Sequence, residues 1–189
     1  WADPTAHGHA ANADLASCRT CHGTDLTGGT SGVSCNSCHG GTAWQTSCTF
    51  CHGDPLRGAN AAAPPVGTQG ETATTARAVG AHATHLAGGD IGPAVACAEC
   101  HVVPAAISHV NGNALVTFGA AAQRGGATPA WSGATCNGTY CHGATLGAGG
   151  TKTAPSWTGG AAEATCGNCH DAPPPAPHSA GTGCGSCHD

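Results

Sequence analysis

Fourteen cysteines lie along 189 residues in seven pairs, and a histidine follows the second cysteine of every pair. The groups are Cys18, Cys21 and His22; Cys35, Cys38 and His39; Cys48, Cys51 and His52; and Cys97, Cys100 and His101. They continue with Cys136, Cys141 and His142; Cys166, Cys169 and His170; and Cys184, Cys187 and His188. Six have two residues between the thiols, whereas the fifth is stretched to four, Asn137-Gly138-Thr139-Tyr140. C-x-x-C-H is the attachment signature of haem c. Two thiols add to the two vinyl groups of one porphyrin, and the adjacent histidine becomes the proximal ligand of the iron. Zinc sites also use C-x-x-C, but they have no reason to place histidine after every second cysteine. Nor does a disulfide framework, the default for an exported chain with an even number of cysteines. With histidine at about 7% of the chain, chance would produce the arrangement roughly once in 10⁸. Seven covalently bound haems c are expected, with all fourteen cysteines in thioether bonds.

Six histidines remain outside the motifs: His7, His9, His82, His85, His109 and His178. Each haem has a vacant sixth position, so these six are the candidate distal ligands. Methionine is absent, which removes the His/Met ligation that raises potential. Bis-histidine ligation saturates the iron, suiting it to passing electrons rather than binding substrate. Fourteen axial positions nevertheless face thirteen histidines, so one iron must lack a second histidine. Sharing histidines between subunits of a homopolymer does not change that count. His82, His85, His109 and His178 match the four haems after residue 64, leaving only His7 and His9 for the three before it. The odd haem is therefore expected at the Cys18, Cys35 or Cys48 motif, its sixth position open, filled by water, or taken by the Trp1 amine or Lys152.

The elements that must hold these ligands are slight. Leu, Ile, Val and Phe number 18 in all, and much of the 40% hydrophobic content is alanine and cysteine. A fraction so low signals disorder when net charge is high, but the net charge is −5 with 8% charged residues. One haem for every 27 residues supplies the missing apolar body. The expected fold is mostly coil with short helices and one or two short hairpins, wrapped around a closely packed chain of haems. Residues 74–87 read as a helix capped at Gly88-Gly89, with His82 and His85 at i, i+3 on one face, able to ligate neighbouring haems. Asn111-Gly112 suggests a turn between strands at 107–110 and 115–118, close to His109. Pro173-Pro174-Pro175 is a stiff arm leading to His178.

An Ala- and Pro-rich stretch at 59–66 divides the chain into a three-haem segment, residues 1–63, and a four-haem segment, residues 64–189, within one haem-linked body. The second segment carries an ordered series: Gly80-Ala81-His82-Ala83-Thr84-His85-Leu86, the Cys97 motif, Thr139-Tyr140-Cys141-His142-Gly143, Pro155-Ser156-Trp157 and the Cys166 motif. It resembles the C-x-x-x-x-C-H/C-x-x-C-H cytochrome domain of metal-reducing bacteria. That resemblance implies exported, often outer-surface proteins serving extracellular electron transfer. At the level of class, the whole chain is similar to the multihaem cytochromes that polymerise into extracellular filaments.

The absence of methionine makes a removed secretory leader the expected start, and Trp1 is not the cysteine that a lipid anchor would need. No apolar run approaches the ~20 residues that span a bilayer. The leading reading is an extracellular or outer-surface conduit, without catalytic residues, whose partners are further copies of itself, other multihaem cytochromes or extracellular electron acceptors. Its one Lys and four Arg provide little of the charge that steers a diffusing shuttle into transient docking. The alternative is a soluble periplasmic carrier. A multihaem reductase ranks third, because the chain has no C-x-x-C-K variant and few cations for anionic substrates.

Overall fold

The structure is a computed structural model that describes residues 4–47, 50, 67, 71–89, 92–105, 114–146, 150, 152–165, 167–171, 173, 176 and 177. The chain is mostly irregular, with three short α-helices, several 3₁₀ turns and a two-stranded sheet among the described residues. Those residues form two compact units. The first holds the residues up to Glu71 with those between Val103 and Leu115, and the second holds the rest.

In the first unit, α1 (Pro4–Ala13) opens on proline, whose fixed φ suits the first helical position. Asp14 then caps α2 (Leu15–His22), its carboxylate accepting the Ser17 N–H at 3.1 Å. At the other end Gly23 takes φ +84° and donates to the Arg19 carbonyl. Leu15, Leu26 and Trp44 make a small core, with Ala11 and Cys35 packed against it. Trp44 turns its indole N–H to Asn36 Oδ1 at 2.9 Å. This satisfies the one polar group that its burial would otherwise strand.

In the second unit, α3 (His82–Ala87) is shorter than the helix expected over 74–87. The chain from Thr74 to Ala81 makes turns instead. Gly80 is the reason: it adopts φ +44°, and a Cβ there would overlap the indole nitrogen of Trp157. The far end follows the sequence, with Gly88 at φ +65° and its N–H on the Thr84 carbonyl. Strands β1 (Ala130–Trp131) and β2 (Cys136–Asn137) pair antiparallel, with Trp131 opposite Cys136. Val116 makes an isolated bridge to His101 rather than a hairpin strand. The other strand expected there, at 107–110, and the stretch at 59–66 lie outside the described residues, as do Pro174 and Pro175. Val79 and Ala122 are the buried hydrophobic side chains of this unit among the described residues.

Candidate haem-binding sites

The motifs are built on tight turns. In the second, Cys35–Ser37 is a 3₁₀ turn, and the Cys35 carbonyl accepts both the Cys38 N–H at 3.3 Å and the His39 N–H at 3.1 Å. The fourth repeats this: the Cys97 carbonyl takes the N–H groups of Cys100 at 3.2 Å and His101 at 2.9 Å. One turn thus gathers two thiols and an imidazole. The first motif reaches the same grouping on α2. Glu99 anchors the fourth, its carboxylate accepting the Ala121 N–H at 3.0 Å while its carbonyl takes the Gly119 N–H at 2.8 Å.

The stretched motif is built differently. Cys136 lies on β2, whereas Cys141 and His142 lie on the 3₁₀ turn Tyr140–His142. Gly138 makes the corner at φ +63°, and a Cβ would come to 2.6 Å from the Thr128 carbonyl oxygen. The two extra residues therefore let a strand deliver one thiol and a turn the other, at a corner that only glycine fits.

Among the described residues, thiols of the first and second motifs, and of the fourth and fifth, lie close enough to affect one another. Burial pushes the Cys136 thiol up to about 11, and the nearby Cys100 thiol adds to the rise. Burial also raises Cys100, followed by the charge of Glu99 and then the Cys141 thiol. In the first unit, burial and then the Cys18 thiol raise Cys35. Nine described cysteines are in no disulfide, and among the described residues no group of three or more His, Cys, Asp or Glu side chains is arranged to hold a bare metal ion.

The histidines come in twos. His82 faces His101 with ring centres 6.2 Å apart, His85 faces His142 at 6.1 Å, and His7 faces His39 at 5.8 Å. Each couple joins a motif histidine to one of the six others. Two imidazoles bound through Nε2 on opposite sides of one metal, each at about 2.0 Å, have ring centres about 6 Å apart. The rings are also presented as metal ligands are. His82 Nδ1 lies 2.8 Å from the Val79 carbonyl oxygen and His85 Nδ1 lies 2.9 Å from that of Ala81. A ring that donates from Nδ1 keeps Nε2 as the lone-pair donor. Among the proximal rings, His22 Nδ1 sits 2.8 Å from the Val33 carbonyl oxygen and His170 Nδ1 2.6 Å from that of Asp171. Burial lowers the pKa of His82, His142 and His39, so these rings stay neutral, the form that ligates.

Haem fits this donor set on a further count. Arg19 Nε and Thr139 Oγ1 are buried without a partner in the two motifs that contain them. Such groups are suited to an anion such as a haem propionate. Lys152 is engaged elsewhere, its Nζ 3.0 Å from Glu163 Oε1, which weakens it as a sixth ligand. Several sequence-derived candidates fall outside the described residues: Cys48, Cys51, His52, Cys166, Cys184, Cys187, His188, His109, His178 and the side chain of His9. The sequence reading gave no role to Trp44 and Phe50, whose rings pack on His39 at 5.1 and 4.7 Å. A signal existed: aromatic residues are only 4% of the chain, so each one present is conspicuous.

The family model described as the Geobacter CxxxxCH...CXXCH motif matches residues 135–170. The match covers the stretched motif and the regular one after it, and leaves out His82, His85 and the Cys97 motif. No curated protein and no solved structure shows a match to the chain. The matched motif is that of multihaem c-type cytochromes, and the C-x-x-C-H groups indicate covalently bound haem c and electron transfer. No described helix is long and apolar enough to cross a membrane.

Proposed function

We propose that the chain is a seven-haem conduit for long-range electron transfer outside the cell, extended by self-assembly into a filament. One observation supports the reading: the thiols of the first and second motifs, and those of the fourth and fifth, lie close enough to raise one another's pKa, Cys18 acting on Cys35 and Cys100 on Cys136. Porphyrins tethered through such thiols have their edges close together. Bound haem supplies a one-electron ferric/ferrous couple. The protein's part would be to close both faces of the iron with imidazole wherever two rings are available, as the His82–His101, His85–His142 and His7–His39 couples are spaced to do. That closure excludes substrate and keeps the coordination the same in both oxidation states.

Low charge supports permanent packing over transient docking. Of the five Lys and Arg side chains, Lys152 is already paired with Glu163 and Arg19 Nε is buried. Electron microscopy of the native holoprotein is expected to show ordered filaments. A strictly monomeric species by sedimentation at high concentration, with no filaments on the grid, would instead support a soluble carrier.

A further inference from the structure

Trp157 belongs to no attachment motif, yet it touches two spare imidazoles of the second unit, His82 and His85. Its ring centre lies 4.7 Å from that of His82, edge-on at 88°, and 5.8 Å from that of His85, stacked at 30°. The indole is pinned at two points. Nε1–H donates to the Arg77 carbonyl at 2.8 Å, in the turns before α3, and the backbone N–H donates to the Ala134 carbonyl at 2.8 Å, beside the strand that delivers Cys136. Gly80 opens the slot in which the indole sits, and Trp131 closes another side at 6.4 Å and 86°.

We propose that Trp157 is a positioning residue that sets the ring planes of His82 and His85, making the haems at the Cys97 and Cys136 motifs two electronically different members of one adjacent pair. The proposal rests on the His82–His101 and His85–His142 ligation set out above. Rotation of an imidazole about its bond to the iron is soft, so its plane is set by what packs on the ring and by the bond from Nδ1. Here the carbonyls of Val79 and Ala81 supply those bonds, and one indole supplies packing to both rings. The outcome differs between the two sites. His82 and His101 are inclined by 30°, whereas His85 and His142 are inclined by 75°. Near-parallel imidazoles split the iron dπ orbitals and stabilise the ferric state. Near-perpendicular ones leave those orbitals almost degenerate, which strengthens g-anisotropy and raises the potential. The Cys136 haem is thus the better electron acceptor of the pair.

Electron paramagnetic resonance of the oxidised holoprotein tests this. The native protein is expected to show an ordinary rhombic low-spin signal and a strongly anisotropic one. His82→Ala identifies the first by converting it to high spin, and His85→Ala identifies the second. Trp157→Leu is expected to move both assigned signals and leave the others, whereas Trp157→Phe, which keeps an aromatic plate in the slot, retains both. Unchanged signals in Trp157→Leu would overturn the proposal, as would a shift spread over all the haems. If the leucine variant fails to mature, the phenylalanine variant decides: native signals support the role and altered ones refute it. Absence of the two signals from the native protein would refute the ligand pairing itself, a separate failure.

Discussion

Replacing His82 and His85 together by alanine is expected to convert two low-spin haems into high-spin ones, out of seven motifs in the chain. Each substitution removes a ring that sits about 6 Å from a motif histidine, centre to centre, with Nδ1 tied to a backbone carbonyl and Nε2 left to bind. Alanine cannot reach the iron, so water or an added small ligand enters the sixth position. Magnetic circular dichroism would count the high-spin centres, and carbon monoxide binding to the reduced protein would count the opened sites. A spectrum unchanged from the native one would mean that other groups ligate these irons. The native protein sets the baseline. If all seven motifs carry haem and all thirteen histidines ligate, one iron is left without a second imidazole and at most one haem should start high-spin. With His7 facing His39, the remaining candidates for the odd haem are the Cys18 and Cys48 motifs, and His9 can serve one of them.

Without haem the polypeptide is expected to be unfolded. Ordering each residue costs about 1–2 kcal/mol of backbone entropy, and the apolar burial that should offset it is scarce. Among the described residues the buried hydrophobic side chains are Leu15, Leu26, Trp44, Val79 and Ala122. Valines and leucines that a compact domain would enclose stand out instead, with Val102 70% and Leu115 73% exposed. Porphyrin faces are the surface such side chains would cover. The chain made without haem attachment, and kept reduced, should show an unordered far-UV circular dichroism spectrum and no cooperative thermal transition. A cooperative transition in that material would mean that the polypeptide folds by itself and that haem is a passenger.

Some of this was legible in the residues. The spacing Cys-x-x-Cys-His specifies a turn that closes on itself, and Cys35 and Cys97 each accept the two N–H groups that close it. The i, i+3 placement of His82 and His85 was enough to put them on one helical face, and Gly88 was enough to end that helix. What the sequence concealed depends on contacts between distant residues. The start of the helix was lost because Gly80 yields to Trp157, 77 positions along the chain. Which distal ring meets which proximal ring is likewise a matter of tertiary approach: His82 meets the nearer motif, while His85, three residues on, reaches the stretched one. The stretched motif was visible as an anomaly, but its cause, a strand and a turn meeting at Gly138, needed the Thr128 carbonyl to be in place.

Whether every cysteine in this chain holds haem is decided by the intact mass of the native protein under denaturing, non-reducing conditions. The expected mass is that of the polypeptide plus seven haems, with no thiol left to alkylate before or after reduction. A mass short by one haem, with Cys136 and Cys141 alkylated, would remove the stretched site. A mass without haem, with thiols released only on reduction, would show a disulfide framework in place of haem attachment.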